Sequence, residues 1–190
     1  MPMPKPPADL TSLICDIALY DSENAYEKLF KSLFPALYRF CHCLLKSREL
    51  AEEVANDVMI TLWKNRKKLP EVQNIKVYAF VIARNLCLNS LNKHSRRELI
   101  FLEDIEVHIV LDTLNPEQIL INDELKKKLE QATDALPNRC KLVFKLIKED
   151  GLSYKQTADI LNISIKTVDA HLVTAVKKLT AVLKVEFNLM

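Results

Sequence analysis

Glycine is nearly missing from this sequence: its 190 residues contain one, Gly151. All-β chains and dinucleotide-binding α/β chains need many glycines for tight turns and close backbone approach, so the composition argues against both and favours helices. Leu, Ile, Lys, Glu and Ala supply helix formers throughout. No segment alternates well enough to make a convincing strand, and no internal repeat is visible. No apolar run reaches the roughly 18–20 residues that a membrane span needs, and no secretory signal opens the chain. The five cysteines, Cys15, Cys41, Cys43, Cys87 and Cys140, are odd in number, and none pair at two-residue spacing. They read as reduced thiols that pack like small hydrophobes. The expectation is a soluble, cytoplasmic protein with no direct membrane insertion.

Catalytic motifs are also absent. There is no His-Glu-x-x-His, no Ser-His-Asp grouping and no glycine-rich phosphate loop. Cys41-His42-Cys43 comes nearest to a metal motif. Adjacent helical residues point about 100° apart, so the three cannot converge on one ion. The sequence predicts no enzyme activity, no cofactor and no metal.

One charge sign disappears locally. From Val72 to Arg97 there is no carboxylate, while Lys76, Arg84, Lys93, Arg96 and Arg97 share the stretch with Asn74, Asn85, Asn89 and Asn92. On a helical wheel Tyr78, Asn85, Asn89, Asn92 and Arg96 fall within a narrow arc. Asn is a poor helix former, so three on one stripe call for a reason. Asn amides can read adenine edges, Arg binds phosphate and Tyr offers a stacking face. A polar solvent face that merely lacks acids would look the same.

The wider charge layout has a pattern. Residues 1–98 hold 15 basic and 11 acidic side chains, residues 99–118 hold five acidic and no basic ones, and residues 119–190 hold 12 basic and nine acidic ones. Two basic modules thus flank an acidic connector, a layout that two separate contacts with a polyanion would explain and that ordinary surface charge would give in a less ordered form. Apolar residues make up 49% of the chain, enough for a buried core.

Helical periodicity organises the modules. Residues 1–9 form a proline-rich tail. Leu13, Ile17 and Tyr20 mark a first helix. Tyr26, Leu29, Phe30, Leu33, Phe34, Leu37, Phe40 and Leu44 mark a second, with Ser22 as its N-cap. Ser47 caps a third, which runs through Val54, Val58, Leu62 and Trp63 to about Lys68 before Leu69-Pro70 stops it. After the loop Glu71 to Asn74, a fourth helix runs from about Ile75 to Arg97. Trp63, Phe80 and Ile82 read as core. The periodicity lapses over 99–118. Helices then resume over Pro116 to Ala135, Asn138 to Glu149, Ser153 to Leu161, and Ser164 to about Lys184. The fold class expected is all-α, with two small helical domains (10–98 and 119–190) joined by an acidic linker (99–118).

Residues 151–179 carry the sharpest signal. Gly151 takes the C-cap role, Ser153 and Gln156 make a capping box, and Ala158 suits a close helix crossing. Asn162 occupies a turn position that wants φ > 0. Ile163 plugs the turn, Ser164 caps the next helix, and Val168 and Leu172 face inward. This spacing predicts a helix-turn-helix. Its second helix would turn outward Lys166, Thr167, Asp169, Ala170, His171, Thr174, Lys177 and Lys178, with its N-terminal part at base edges and its lysines on phosphates.

Four stretches now add up to a resemblance: AEEVANDVMITLWKNRKKL (51–69), VYAFVIARNLCLNSLNKHSRR (77–97), LPNRCKLVFKL (136–146) and GLSYKQTADILNISIKTVDAHLVTAVKKL (151–179). In this order they resemble the extracytoplasmic-function (group IV) sigma factors of the sigma-70 family. The resemblance implies an RNA polymerase sigma factor that directs core polymerase to promoter −10 and −35 elements. It implies that residues 51–66 pack on the β′ clamp coiled coil, with Glu53, Asn56, Asp57 and Thr61 as contacts. It implies that the loop at 70–75 and the following helix hold the −10 element through Asn74, Lys76, Tyr78, Arg84, Asn85, Asn89, Asn92, Lys93 and Arg96. The second domain would sit on the β flap and read the −35 element through Lys166, Thr167, Ala170 and His171, with Thr174, Lys177 and Lys178 beside them. The acidic connector would lie near the RNA exit path, and an anti-sigma factor is an expected partner. Asn56, Met59 and Asn162 depart from the residues common at their positions. ISIKTVDAHL also resembles the helix-turn-helix of LuxR-type regulators, an alternative that accounts for only about the last 50 residues of the chain.

Overall fold

The computed structural model describes residues 10–94 and 131–187, with side chains described over 10–93 and 131–181. The expected linker, and the part of the expected Pro116 to Ala135 helix that precedes Gln131, lie outside these residues. Every regular element among the described residues is helical, and the chain divides into two compact units at Leu99–Ile100.

The first unit contains α1 (Leu10–Tyr20), α2 (Glu23–Leu45), α3 (Arg48–Lys64) and α4 (Ile75–His94). Local chemistry sets each start. Ser22 Oγ accepts from the Ala25 amide at 3.3 Å and Ser47 Oγ from the Leu50 amide at 3.2 Å, each satisfying an N–H that the first helical turn leaves unpaired. Asn74 does the same for α4, its Oδ1 accepting from the Val77 amide at 3.1 Å. Asp21 (φ 50) and Lys46 (φ 58) reverse the chain in the left-handed region between helices. Pro35 lies inside α2 on an exposed position, where its missing N–H removes one helical hydrogen bond.

The core of this unit is continuous with the apolar periodicity. Ile17, Leu29, Leu37, Met59, Leu62 and Phe80 are all but sealed from solvent. Phe40 meets Phe80 edge-on, with centroids 5.2 Å apart, a geometry favoured by the ring quadrupoles. Ala51, Ala55, Ala79 and Ala83 are fully buried, which lets the backbones of α3 and α4 approach their neighbours closely. Cys41 and Cys87 are buried side by side, and the contact with Cys87 together with burial raises the Cys41 thiol far above its ordinary range. Phe80 is core as expected, whereas Trp63 and Ile82 are half-buried.

One helix end differs from expectation. α3 stops at Lys64 rather than near Lys68, and Arg66–Glu71 form a 3-10 segment with Pro70 inside it. Asn65 ends α3 by donating its side-chain amide to the Thr61 carbonyl at 2.9 Å. Pro70 has no N–H and disfavours the α conformation at Leu69. Leu69, 1% exposed, pins the tighter segment to the core.

The second unit comprises helical residues 131–134, α5 (Asn138–Phe144), α6 (Tyr154–Leu161) and α7 (Ile165–Phe187). The helix expected over Asn138–Glu149 changes pitch: Lys145–Glu149 are π-helical, and the Asp150 amide reaches back to the Lys145 carbonyl at 3.0 Å. Gly151 (φ +68) then reverses the chain. Two apolar clusters hold α7. Ala175 and Leu179 pack with Ala132, Leu136 and Cys140, while Val168 and Leu172 pack with Val143 and Ala158. Lys141 is buried at 3% exposure and donates to the carbonyl and the carboxylate of Asp134. That pairing tolerates a charge where an unpaired one would be costly.

Candidate nucleic-acid interface

The helix-turn-helix is built as its spacing predicts. Ser153 Oγ accepts from the Gln156 amide at 3.2 Å while Gln156 Oε1 accepts from the Ser153 amide at 2.8 Å, closing the capping box. Asn162 holds φ 55 and ψ 50, and its amide donates to the Ala158 carbonyl. Ser164 Oγ accepts from the Thr167 amide at 3.0 Å and lies 2.7 Å from Thr167 Oγ1. Val168 and Leu172 are buried, and Ile163 packs half-buried over the turn.

This arrangement frees one face of α7. Lys166, Ala170, Thr174, Lys177 and Lys178 are exposed, and Thr167 is half-buried under its bond to Ser164. A helix face with lysines at both ends and small side chains between them suits a major groove flanked by phosphates.

His171 does not join that face as expected. It lies half-buried, with Nδ1 3.6 Å from Cys140 Sγ and Nε2 buried without a partner. Burial, then the nearby Arg139 charge, holds its imidazole below the ordinary value of 6.5. Burial likewise raises the Cys140 thiol. The cause lies in the register. His171 is adjacent to the inward arc of Val168, Leu172 and Ala175, and α5 is close enough to cover it.

The first unit carries two further faces. On α3, Glu53 and Asp57 are exposed while Asn56 and Thr61 are half-buried. Their spacing of three, four and eight residues places them on one side of the helix. Thr61 Oγ1 donates to the Asp57 carbonyl at 2.7 Å. Between them stands Ile60, 47% exposed, which is not among the contacts that the sequence resemblance implies. Its only signal is non-periodic: Ile60 falls outside the Val54, Val58 and Leu62 stripe.

On α4, Asn85, Asn89, Asn92 and Lys93 are exposed, and Lys76, Tyr78 and Arg84 are half-buried. Asn74 is exposed at the helix start, its Oδ1 engaged as the cap. Arg84 Nη1 lies 3.5 Å from Asn85 Oδ1, a long contact that leaves the amide nitrogen available. Arg96 lies outside the described residues. The α4 stripe therefore presents amides and cations with no carboxylate among its own residues, a surface suited to nucleic acid.

Two such surfaces, one on the helix-turn-helix and one on α4, define an all-helical DNA-binding protein. The sigma-70 region 2 family model matches residues 29–97, and the sigma-70 region 4 model matches residues 126–179. The chain is 25% identical over 157 residues to the extracytoplasmic-function sigma factor SigW of Bacillus subtilis, covering 79% of this chain and 84% of that protein. It is 22% identical over 185 residues to the sigma factor SigK of Mycolicibacterium vanbaalenii, covering 93% and 90%. Among solved structures its fold is similar to the sigma factor RpoE of Bartonella quintana, in complex with the anti-sigma factor NepR. That likeness has a TM-score of 0.59 at 22% identity and covers 84% of this chain and 97% of that one. CnrH, in complex with the cytosolic domain of CnrY, gives 0.56 at 18% identity, covering 93% and 99%. The chain belongs to the sigma-70 family, in its extracytoplasmic-function group, and is an RNA polymerase sigma factor rather than a LuxR-type regulator.

Proposed function

We propose that the chain divides its labour by domain, with residues 10–98 gripping polymerase and the −10 element, 119–190 reading the −35 element, and 99–118 serving as the connector. The exposed, acid-free amide stripe of α4 carries the −10 assignment, and the free face of α7 carries the −35 assignment. Sequence selection at −35 falls to Lys166, Thr167, Ala170 and Thr174, with Lys177 and Lys178 on phosphates. At −10 it falls to Tyr78, Asn85, Asn89 and Asn92, with Asn74 at the loop edge and Lys76, Arg84, Lys93 and Arg96 supplying positive charge.

The α3 face of Glu53, Asn56, Asp57, Ile60 and Thr61 docks on the β′ clamp coiled coil, and the second domain docks on the β flap. Ile60 gives the α3 contact an apolar centre inside a polar rim, the usual anatomy of a protein interface. An anti-sigma factor is a further partner, a reading supported by the structurally similar RpoE, which is bound to the anti-sigma factor NepR. The protein works in the cytoplasm and performs no covalent chemistry of its own. Among the described residues no helix is long and apolar enough to cross a membrane.

The test is reconstitution. Core RNA polymerase with the purified chain should initiate at discrete promoters from a genomic library, and core alone should not. Absence of any specific start with a cognate core enzyme would overturn the reading.

A further inference from the structure

Arg66 stands where α3 hands the chain on to the loop at 70–75, and its side chain is 24% exposed. Its guanidinium carbon lies 4.6 Å from the centre of the Trp63 ring. Nη1 donates to the Trp63 carbonyl at 3.1 Å, and Nε donates to the Asp21 carboxylate. Asp21 occupies the left-handed corner between α1 and α2. Its hydrogen bond from Arg66 holds the carboxyl below the ordinary range. Trp63 in turn tilts against Tyr26, centroids 4.8 Å apart, and Tyr26 Oη donates to the Met59 carbonyl at 2.9 Å. One planar cation therefore joins the α1–α2 corner to the last turn of α3. Lysine has no fork or flat face with which to hold these partners together.

What lies on either side gives the joint its meaning. Before it, α3 carries the face of Glu53, Asn56, Asp57, Ile60 and Thr61. After it come the 3-10 segment, anchored by buried Leu69, and three residues without regular structure, Val72–Asn74, before α4 begins. The path from polymerase-facing helix to promoter-facing loop is thus short, and Arg66 clamps its beginning.

Resting on the function proposed above, we infer that Arg66 is a positioning residue for promoter opening: it holds the loop at 70–75 in fixed register with the polymerase-docked face of α3. It touches neither base nor polymerase itself. Docking on core and capture of an unstacked −10 base are coupled through this joint.

The experiment uses holoenzyme reconstituted from core polymerase and the full chain, on a promoter found by the reconstitution above. A fluorescent adenine analogue in the non-template −10 strand reports opening. Arg66→Ala should bind core with unchanged affinity yet open the promoter about tenfold or more slowly, the scale expected when a catalytic or binding group is misplaced. Asp21→Asn, which spares the Trp63 contacts, should be impaired less and in the same direction. Arg66→Lys, which keeps the charge near Asp21, should recover part of the rate.

A core variant matched in melting temperature, such as Ile17→Val, separates positioning from general stability and should open normally. Opening by Arg66→Ala at the rate of that matched variant would overturn the inference, as would loss of core affinity in proportion to opening. If Arg66→Ala does not fold, Asp21→Asn decides on the same comparison. Failure of the wild-type chain to direct core polymerase at all would instead sink the functional reading on which this rests.

Discussion

His171 Nδ1 lies 3.6 Å from Cys140 Sγ, so α7 turns its one histidine toward α5 instead of onto its exposed face. The dry setting and the Arg139 charge favour the neutral imidazole. A histidine whose folded value lies below its unfolded 6.5 contributes its full stability above pH 6.5. It loses stability as the pH falls from 6.5 through the folded value, because the unfolded chain binds the proton more readily. The thermal midpoint of the second unit should therefore fall between pH 7 and 5 by more in the wild type than in His171→Gln. Equal slopes would refute the placement of this ring.

Asn162 turns the chain between α6 and α7 at φ 55. Asn tolerates the left-handed region, and a β-branched residue does not. Asn162→Val should cost on the order of 1–3 kcal/mol, while Asn162→Gly should cost far less. Chemical denaturation of the three proteins measures both differences.

Lys177 and Lys166 lie on one exposed face of α7 but should fail differently when truncated. On the proposed phosphate role of Lys177, Lys177→Ala should weaken holoenzyme binding for every upstream sequence and lower the salt slope by about 1. Lys166 lies in the first turn of α7, and on its proposed base-reading role Lys166→Ala should change sequence preference by roughly 1–3 kcal/mol at one position. Binding titrations against a randomised −35 library at several salt concentrations distinguish the two.

Ile60 is 47% exposed at the centre of the α3 face. Ile60→Asp should leave the melting temperature nearly unchanged, since little apolar burial is lost within the protein. It should lower affinity for core polymerase by on the order of 2 kcal/mol or more, the scale of an interface anchor. Competition against the wild-type chain for limiting core supplies the measurement.

Much of this architecture was legible in the residues because short-range chemistry governs it. Ser22, Ser47, Ser153 and Ser164 announce helix starts by a rule that reaches only three residues along the chain. Asn162 and Gly151 announce reversals that few side chains accept. What escaped depends on neighbours distant in sequence. The 3-10 segment after Asn65 could be foreseen as a stop at Pro70 but not as a tightened continuation, since Leu69 holds it from the core side. The inward turn of His171 depends on Cys140, 31 residues away, and its position on the wheel lies at the border between the buried and exposed arcs. The Asp21–Arg66 joint spans 45 residues, and no periodicity links its ends. Ile60 stands among polar side chains, and a single apolar residue outside the buried stripe carries no periodic signal.

A Cβ built onto Gly151 meets no atom within 4 Å, although its φ is +68. The position thus demands handedness and not smallness. A mirror-image alanine inserted there by chemical ligation would fit the open space and the left-handed backbone alike. It would also narrow the freedom of the unfolded chain, so the only achiral residue in this protein is replaceable by a chiral one of the opposite configuration.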